Sequence, residues 1–202
     1  MEPMYEYLKN ELFLKKGYTP ARVLDIGAWK GMWTECCKTF WPDSHYTCIE
    51  AGEKHRKKLN EIANDVHIGV LGNENKKVKM YLTNTKPHKL GYTKGSSVFP
   101  WTDKFEERDM VTLQSLVGDS KFNFIKQDVQ GAELMVMQGS PDIFKHAEYV
   151  LNEVNKEKIN NCPSLEEMNS YMESIGFNDY ETIQNPDNPT QLDVLYWRQL
   201  HF

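Results

Sequence analysis

The chain has no cysteine pair at metal or redox spacing, no apolar run long enough to span a bilayer, no excess of basic charge and no three-glycine dinucleotide fingerprint. Its cysteines are only Cys36, Cys37, Cys48 and Cys162. Without CxxC spacing they do not suggest a zinc or redox site, and a bridge between neighbours 36 and 37 would be strained. They read as reduced, buried thiols of a cytoplasmic protein. Acidic residues outnumber basic ones, 29 to 24, for a net charge of -5 and a pI near 5.7. That balance argues against general adhesion to nucleic acid, which relies on a basic surface to release phosphate counterions. Glu2, Glu6 and Glu11 interrupt the N-terminal apolar residues, so no secretory signal and no membrane partner are expected. Internal repeats, low-complexity tracts and linkers are also missing.

What is present is a regular alternation. The 202 residues suffice for one three-layer α/β unit and are short for two, so a single domain over 1–202 is expected. Residues 4–16 place Tyr5, Leu8, Leu12 and Phe13 at helical spacing, with Gly17 as C-cap and Pro20 beyond, which predicts a docking helix within residues 1–20. Then come strand 21–27, helix 31–41, strand 45–51, helix 53–63 and strand 66–71. A short strand at 77–83 precedes an irregular stretch, 84–109, that collects Pro87, Gly91, Gly95, Ser96, Ser97, Pro100 and several aromatics. An irregular stretch of that length in a small domain reads as a substrate-side loop or lid. Strand 122–128, helix 131–139, strand 149–154, helix 164–175 with Ser164 and Glu167 as a capping box, and strands 177–183 and 192–198 complete the chain. Such alternation predicts βαβ units and a mostly parallel sheet, closed by a hairpin at its edge.

Three of these strands end on acids. The corner Asp25-Ile26-Gly27-Ala28-Trp29-Lys30-Gly31 keeps two glycines and places an acid before them. A pyrophosphate requires close approach to bare backbone, whereas a cofactor with an amino acid end and no phosphates tolerates a bulkier loop. The corner therefore favours S-adenosylmethionine over NAD, with Asp25, Gly27, Ala28, Trp29 and Gly31 as candidate cofactor contacts. Glu50 ends the second strand roughly twenty residues later, where its two oxygens can accept both ribose hydroxyls. Ala51 follows it, and Gly69-Val70 after the third strand offers a small apolar shelf for an adenine ring. The third acid, Asp128, ends the strand that starts at Phe122, and the chain turns through Gly131 into Glu133.

The run Ile125-Lys126-Gln127-Asp128-Val129-Gln130-Gly131-Ala132-Glu133-Leu134, followed by Gly139, resembles the hallmark of the FkbM family of S-adenosylmethionine-dependent methyltransferases. Members usually read Lys-x-Asp-Val-Glu-Gly-x-Glu-x-x-x-Leu-x-Gly. Similar pieces follow in order through the glycine corner, Ile49-Glu50, Val70-Leu71-Gly72, Gly95-Ser96-Ser97, Val111-Thr112-Leu113 and Leu151-Asn152-Glu153. The resemblance implies an α/β, Rossmann-like class I methyltransferase fold: three layers, α/β/α, around a mostly parallel seven-stranded sheet with one antiparallel edge strand. It also implies S-adenosylmethionine as cofactor, S-adenosylhomocysteine as product, and O-methylation of a sugar or related hydroxyl. Gln130 stands where the family usually has Glu, Trp29 where Asn is common, and Gln114 where an Asp is usual.

Methyl transfer is an in-line attack on a sulfonium methyl, so alignment does most of the work. Asp128 is the leading catalytic candidate, either as base or as the group that orients the hydroxyl or the cofactor's ammonium. Glu133, one helical turn on, either shares that duty or stabilises the helix dipole. His88 is a candidate mobile base carried by a closing lid. Ser96, Ser97 and Trp101 in the same stretch, and Glu153 at the end of the fifth strand, are candidate acceptor contacts. Asp128, Glu133 and Glu153 supply oxygens of the kind a divalent cation takes, though their spacing does not require one. The expected partner is a small-molecule or glycan acceptor. An RNA ribose 2′-O-methyltransferase competes, with Lys156 or Lys158 completing the site and nucleic acid as acceptor, and the acidic balance weighs against it. A non-catalytic partner module also competes, and the intact Asp25, Gly27, Gly31 and Glu50 count against that.

Overall fold

The structure, a computed structural model, describes residues 3–82, 95–100, 102–158, 161–184 and 188–198. Ten strands follow one another: β1 (Arg22–Ile26), β2 (His45–Glu50), β3 (Asp65–Ile68), β4 (Val70–Leu71), β5 (Lys76–Tyr81), β6 (Phe105–Val111), β7 (Phe124–Gln127), β8 (Tyr149–Asn155), β9 (Asp179–Gln184) and β10 (Gln191–Trp197). The helices are α1 (Pro3–Tyr7), α2 (Met32–Cys37), α3 (Arg56–Asn60), α4 (Leu113–Val117), α5 (Glu133–Gly139), α6 (Pro141–Lys145) and α7 (Leu165–Ser174). A seven-stranded sheet in the order β3-β2-β1-β7-β8-β10-β9 forms the frame. Its strands are parallel except β10, which is antiparallel to both neighbours and stands one place in from the edge.

Period-two alternation divides the strand residues between two faces. Val23, Phe124, Leu151 and Leu195 point to one face, where Met4, Leu8 and Leu12 of the N-terminal helical segment and Trp33 and Cys37 of α2 cover them. Leu24, Ile125, Val150 and Val194 point to the other, beneath Leu113, Val136, Phe144, Met168 and Met172 of the helices α4 to α7. Each side chain fully withdrawn from water contributes about 1.5–3 kcal/mol, so both faces hold the layers together. The capping box expected at Ser164 and Glu167 forms, with backbone and side-chain bonds in both directions. None of the four cysteines, all of them among the described residues, forms a disulfide. Burial pushes the Cys48 and Cys162 thiols up to about 12, far from a nucleophile's range.

Four details depart from the sequence-based expectation. The N-terminal helix widens into a π-helix over Leu8–Lys15, which apolar spacing cannot distinguish from an α-helix, and Gly17 closes it at φ +67°. The strand expected over 66–71 divides at Gly69, whose N–H donates to the Glu50 carbonyl at 3.0 Å. Val70 and Leu71 then leave the main sheet. They join a separate three-stranded sheet, β4-β6-β5, in which β6 claims residues 105–109 of the expected irregular stretch. Its strands are mostly charged, Lys76, Lys77 and Lys79 on β5 against Glu106, Glu107 and Asp109 on β6, so the hydrophobic alternation that betrays a strand is faint. Finally, the short helices α4 and α6 carry too few residues to show a period. His88 and Trp101 lie outside the described residues, as does the part of the expected lid over 84–94. No helix among the described residues is long and apolar enough to cross a membrane.

Gly139 closes α5 against the small sheet, and a Cβ there would stand 2.4 Å from the Gly72 carbonyl oxygen. That oxygen and Asn73 Cα, 2.5 Å from the same point, are both backbone, so they cannot rotate away. We expect Gly139→Ala to cost roughly 1–3 kcal/mol of stability, measured by urea unfolding; an unchanged midpoint would show that the two sheets slide freely past this point.

Candidate active site

The order of the sheet creates the site. Connections from β1 run outward through β2 and β3, whereas β7 starts the other half, so the chain diverges on either side of the β1–β7 seam. In open α/β sheets such a switch point leaves a crevice at the carboxyl ends of the strands. The loops that leave β1 and β7 there, residues 27–31 and 128–132, carry the two non-glycine residues with positive φ among the described residues, Trp29 at +48° and Gln130 at +57°. Strain of this kind persists only where its surroundings hold it.

The first loop is built for close approach. Gly27 has φ +75°, and a Cβ on it would lie 1.8 Å from the Asp128 carbonyl oxygen. Gly27 and Ala28 both donate their N–H to the Ile49 carbonyl, at 2.9 and 3.0 Å. Gly31, at φ +78°, ends the corner, with the side chain of Ile62 where its Cβ would be. The left-handed turn at Trp29 aims its N–H at Glu50 Oε2, 2.8 Å away, while Gly52 N–H donates to Oε1 at the same distance. One carboxylate thus ties the first loop to the end of β2. The Trp29 ring itself is exposed, with Lys30 Nζ 4.6 Å from its centre.

Beneath the loops runs a chain of buried polar groups. Asp25, fully buried, accepts from Thr34 Oγ1 of α2 at 2.8 Å and pairs with Lys126 Nζ at 3.1 Å. Lys126 faces Asp25 across the parallel β1–β7 register. Its Nζ lies 3.8 Å from Asp128 Oδ2 and donates to the Gly27 carbonyl at 3.3 Å. Burial opposes the ammonium charge, but Asp25 and Asp128 outweigh it and hold Lys126 above the ordinary lysine range. Asp128 is the exposed member of this chain, its side chain 37% accessible. On its other side the Gln130 amide donates to Asp128 Oδ1 at 2.6 Å and to Glu153 Oε2 at 3.1 Å. Burial, then Asp128, Glu133 and Asp193, push the Glu153 carboxyl well above the ordinary carboxylate range.

Glu133 is placed differently from an acid on an open rim. It is 1% exposed, and Oε1 accepts from Val129 N–H at 2.9 Å and Gly131 N–H at 3.2 Å, so it clamps its own loop from within. Burial pushes its carboxyl up to about 7 against the pull of those amides. The cation cage that Asp128, Glu133 and Glu153 suggest in sequence does not assemble. Glu133 turns into the loop, Gln130 stands between the other two, and no group of three or more His, Cys, Asp or Glu among the described residues is arranged to hold a metal.

The remaining candidates frame the same corner. Ala51 is half buried, and its carbonyl accepts from Arg108 of β6 at 2.7 Å, which braces the end of β2 against the small sheet. Val70 is 3% exposed, packed with Met80 and Met110 beneath Ala51, and Gly69 is the hinge between the sheets. Ser97 is buried: its backbone pairs with Tyr81, and its hydroxyl donates to the Gln130 carbonyl at 2.8 Å and accepts from Phe99 N–H at 3.1 Å. Ser96, beside it, is half buried. A cleft of about 340 Å³ opens beside Gly131, between Phe99 and Leu134. A larger one, about 390 Å³, lies around Lys121 and His146 at the other end of the strands and shares none of these residues. Sequence reasoning passed over Lys126, Thr34 and Arg108. For Lys126 the signal was present, a cation two residues before Asp128 and so on the same face of one strand.

The Methyltransferase FkbM domain family matches residues 25–178. No curated protein matches the sequence. Among solved structures, a provisionally named O-methyltransferase from Klebsiella pneumoniae is similar at 13% identity and TM-score 0.57, over 98% of this chain and 80% of its own. The methyltransferase BpumL of plantazolicin, solved with SAH, is similar at 10% identity and TM-score 0.51, over 96% of this chain and 82% of its own. A provisionally named O-methyltransferase from Nostoc punctiforme is similar at 10% identity and TM-score 0.54; the alignment takes in 96% of this chain and only 56% of that protein. At these identities the likeness is one of fold.

Two variants test the site. Lys126→Met leaves Asp25 buried without its cation, and we expect a loss of roughly 3–5 kcal/mol in urea unfolding; a loss under 1 kcal/mol would mean that the chain of charges is not structural. Glu133 holds its proton more tightly folded than unfolded, so its contribution to stability is fully present below about pH 4.5 and is lost as pH rises to 7. Glu133→Gln should therefore remove up to about 3 kcal/mol of the fall in stability between pH 4.5 and 8. Parallel stability curves for the two proteins would contradict the assignment.

Proposed function

The chain belongs to the Methyltransferase FkbM domain family, and from that premise we propose that it is an S-adenosylmethionine-dependent O-methyltransferase acting on a hydroxyl of a saccharide or sugar-bearing small molecule. The observation that carries the reading is the Glu50 carboxylate at the end of β2, fixed by the Trp29 and Gly52 amides beside a glycine corner at the switch point of the sheet. Each Glu50 oxygen accepts one amide and keeps a further lone pair. Two neighbouring ribose hydroxyls fit such a pair of acceptors.

The other residues fit the same ligand. Gly27 lets its amino acid end approach bare backbone, Ala28 and Gly31, both buried, shape the corner around it, and Ala51 with Val70 beneath it offers the apolar side for adenine. Asp25 works from below, since it is fully buried and engaged by Thr34 and Lys126. The bound cofactor supplies an electrophilic methyl on a sulfonium. Everything else falls to the chain: Asp128 accepts a hydrogen bond from the attacking hydroxyl and fixes its direction, Lys126 steadies Asp128, and the 95–99 segment and Glu153 border the acceptor. The hydroxyl of a sugar as acceptor rests on the family likeness.

Calorimetric titration with S-adenosylmethionine and S-adenosylhomocysteine tests the reading. Micromolar binding, near -8 kcal/mol, is expected for the wild type. Glu50→Ala should weaken it at least tenfold, by the loss of charge-assisted hydrogen bonds. Absence of heat and of any thermal shift at saturating cofactor would overturn the function. Transfer of labelled methyl to a panel of glycans, with an RNA pool alongside, then identifies the acceptor.

A further inference from the structure

Gln130 sits at the corner between β7 and α5 in a left-handed conformation that side chains rarely adopt. Its surroundings keep it there. The Ser97 hydroxyl holds its carbonyl, and Gly95 lies so close that a Cβ would stand 2.3 Å from Gln130 Cγ. From this position a single amide nitrogen serves two acids, Asp128 at 2.6 Å and Glu153 at 3.1 Å. An NH2 group has two hydrogens, so both are committed, and the two carboxyl groups they hold lie close enough to bond each other directly. Two carboxyls that close, one of them half buried, resist carrying two charges. The neighbouring groups increase the asymmetry. Lys126, with Asp25 behind it, pairs with Asp128 at 3.8 Å and reaches Glu153 only from farther off, while Glu133 from α5 and Asp193, opposite Glu153 on β10, bring further acid toward Glu153.

We propose that Gln130 is a positioning residue that locks Asp128, beside Lys126, and Glu153 into one acid pair that shares a single proton. Its catalytic meaning rests on the methyltransferase reading above: an acceptor hydroxyl donates to one fixed carboxylate, Asp128, beside a second acid held away from it, so the site suits uncharged hydroxyl acceptors. A glutamate at 130, as the hallmark of the family usually has, would remove the bridging donor and add a third acid.

The test is melting temperature against pH, from 5 to 8, for the wild type, Gln130→Glu and Gln130→Leu, with and without S-adenosylhomocysteine. Gln130→Glu should melt near the wild type at pH 5, where the new carboxyl keeps a proton and can still donate, and roughly 5 °C below it at pH 8. Gln130→Leu, which adds no charge, should lie below the wild type by a constant margin. A gap for Gln130→Glu that is the same at both ends of the range overturns the proposal and leaves Gln130 a simple support of its loop. In the wild type itself, carboxyl carbon NMR assigned with Glu153→Gln should show the pair holding one proton at pH 7, and two ionised resonances there overturn the proposal without any variant at 130. Failure of S-adenosylhomocysteine to raise the wild-type melting temperature would overturn the methyltransferase reading and leave the acid pair standing, so the two fail separately.

Discussion

The buried ammonium of Lys126 is the contact on which the rest of the site depends. It joins β1 to β7 at the seam where the sheet reverses direction, and it compensates Asp25, which has no access to water. Taking two such charges out of water costs several kcal/mol each, and the cost is met only if every remaining valence finds a partner. Thr34, the Gly27 carbonyl and Asp128 are those partners. The arrangement leaves little freedom: moving any of these groups exposes an uncompensated charge. Two loops that would otherwise wander are therefore pinned at their roots, and the catalytic candidate Asp128 inherits its position from a lysine buried beneath it.

Above that root the same device appears twice. Trp29 and Gln130 each adopt a left-handed turn, and each turn presents an N–H group to a carboxylate, the backbone amide of Trp29 to Glu50 and the side-chain amide of Gln130 to Asp128 and Glu153. A residue with a Cβ resists this conformation, so it is held only by what it bonds. Glu133 adds a third clamp from inside the second loop. Carboxylates here act as fasteners of loops as much as candidate ligands, which explains why acids recur at the ends of strands in this chain.

Much of this was legible in sequence. The alternation of patterns foretold the parallel sheet and its hairpin, because strands buried on both faces leave long apolar runs, and the positions of Asp25, Gly27 and Glu50 followed from spacing along two strands. The rest was obscured for physical reasons. The small sheet is written largely in Lys and Glu, so it lacks the apolar alternation that marks a strand. Lys126 sits inside an apolar strand, where a cation reads as an accident until its partner on the neighbouring strand is known. Glu133 occupies the first turn of α5, a place where exposed and buried acids look alike in one dimension. Only the fold decides which way such a side chain turns.

The small sheet ends on β5, its outer strand among the described residues, and an outer strand offers unpaired backbone to any passing copy of itself. Here the strand carries Lys76, Lys77 and Lys79 in close succession, with Lys77 reaching across to Asp109 at 2.8 Å. A second molecule docking β5 to β5 would have to lay these ammonium groups alongside their own likeness, while Glu74 and Asp109, the acids that balance Lys76 and Lys77, are already taken. The charge that hid this strand from a reading of the sequence thus also opposes the pairing of two copies along it.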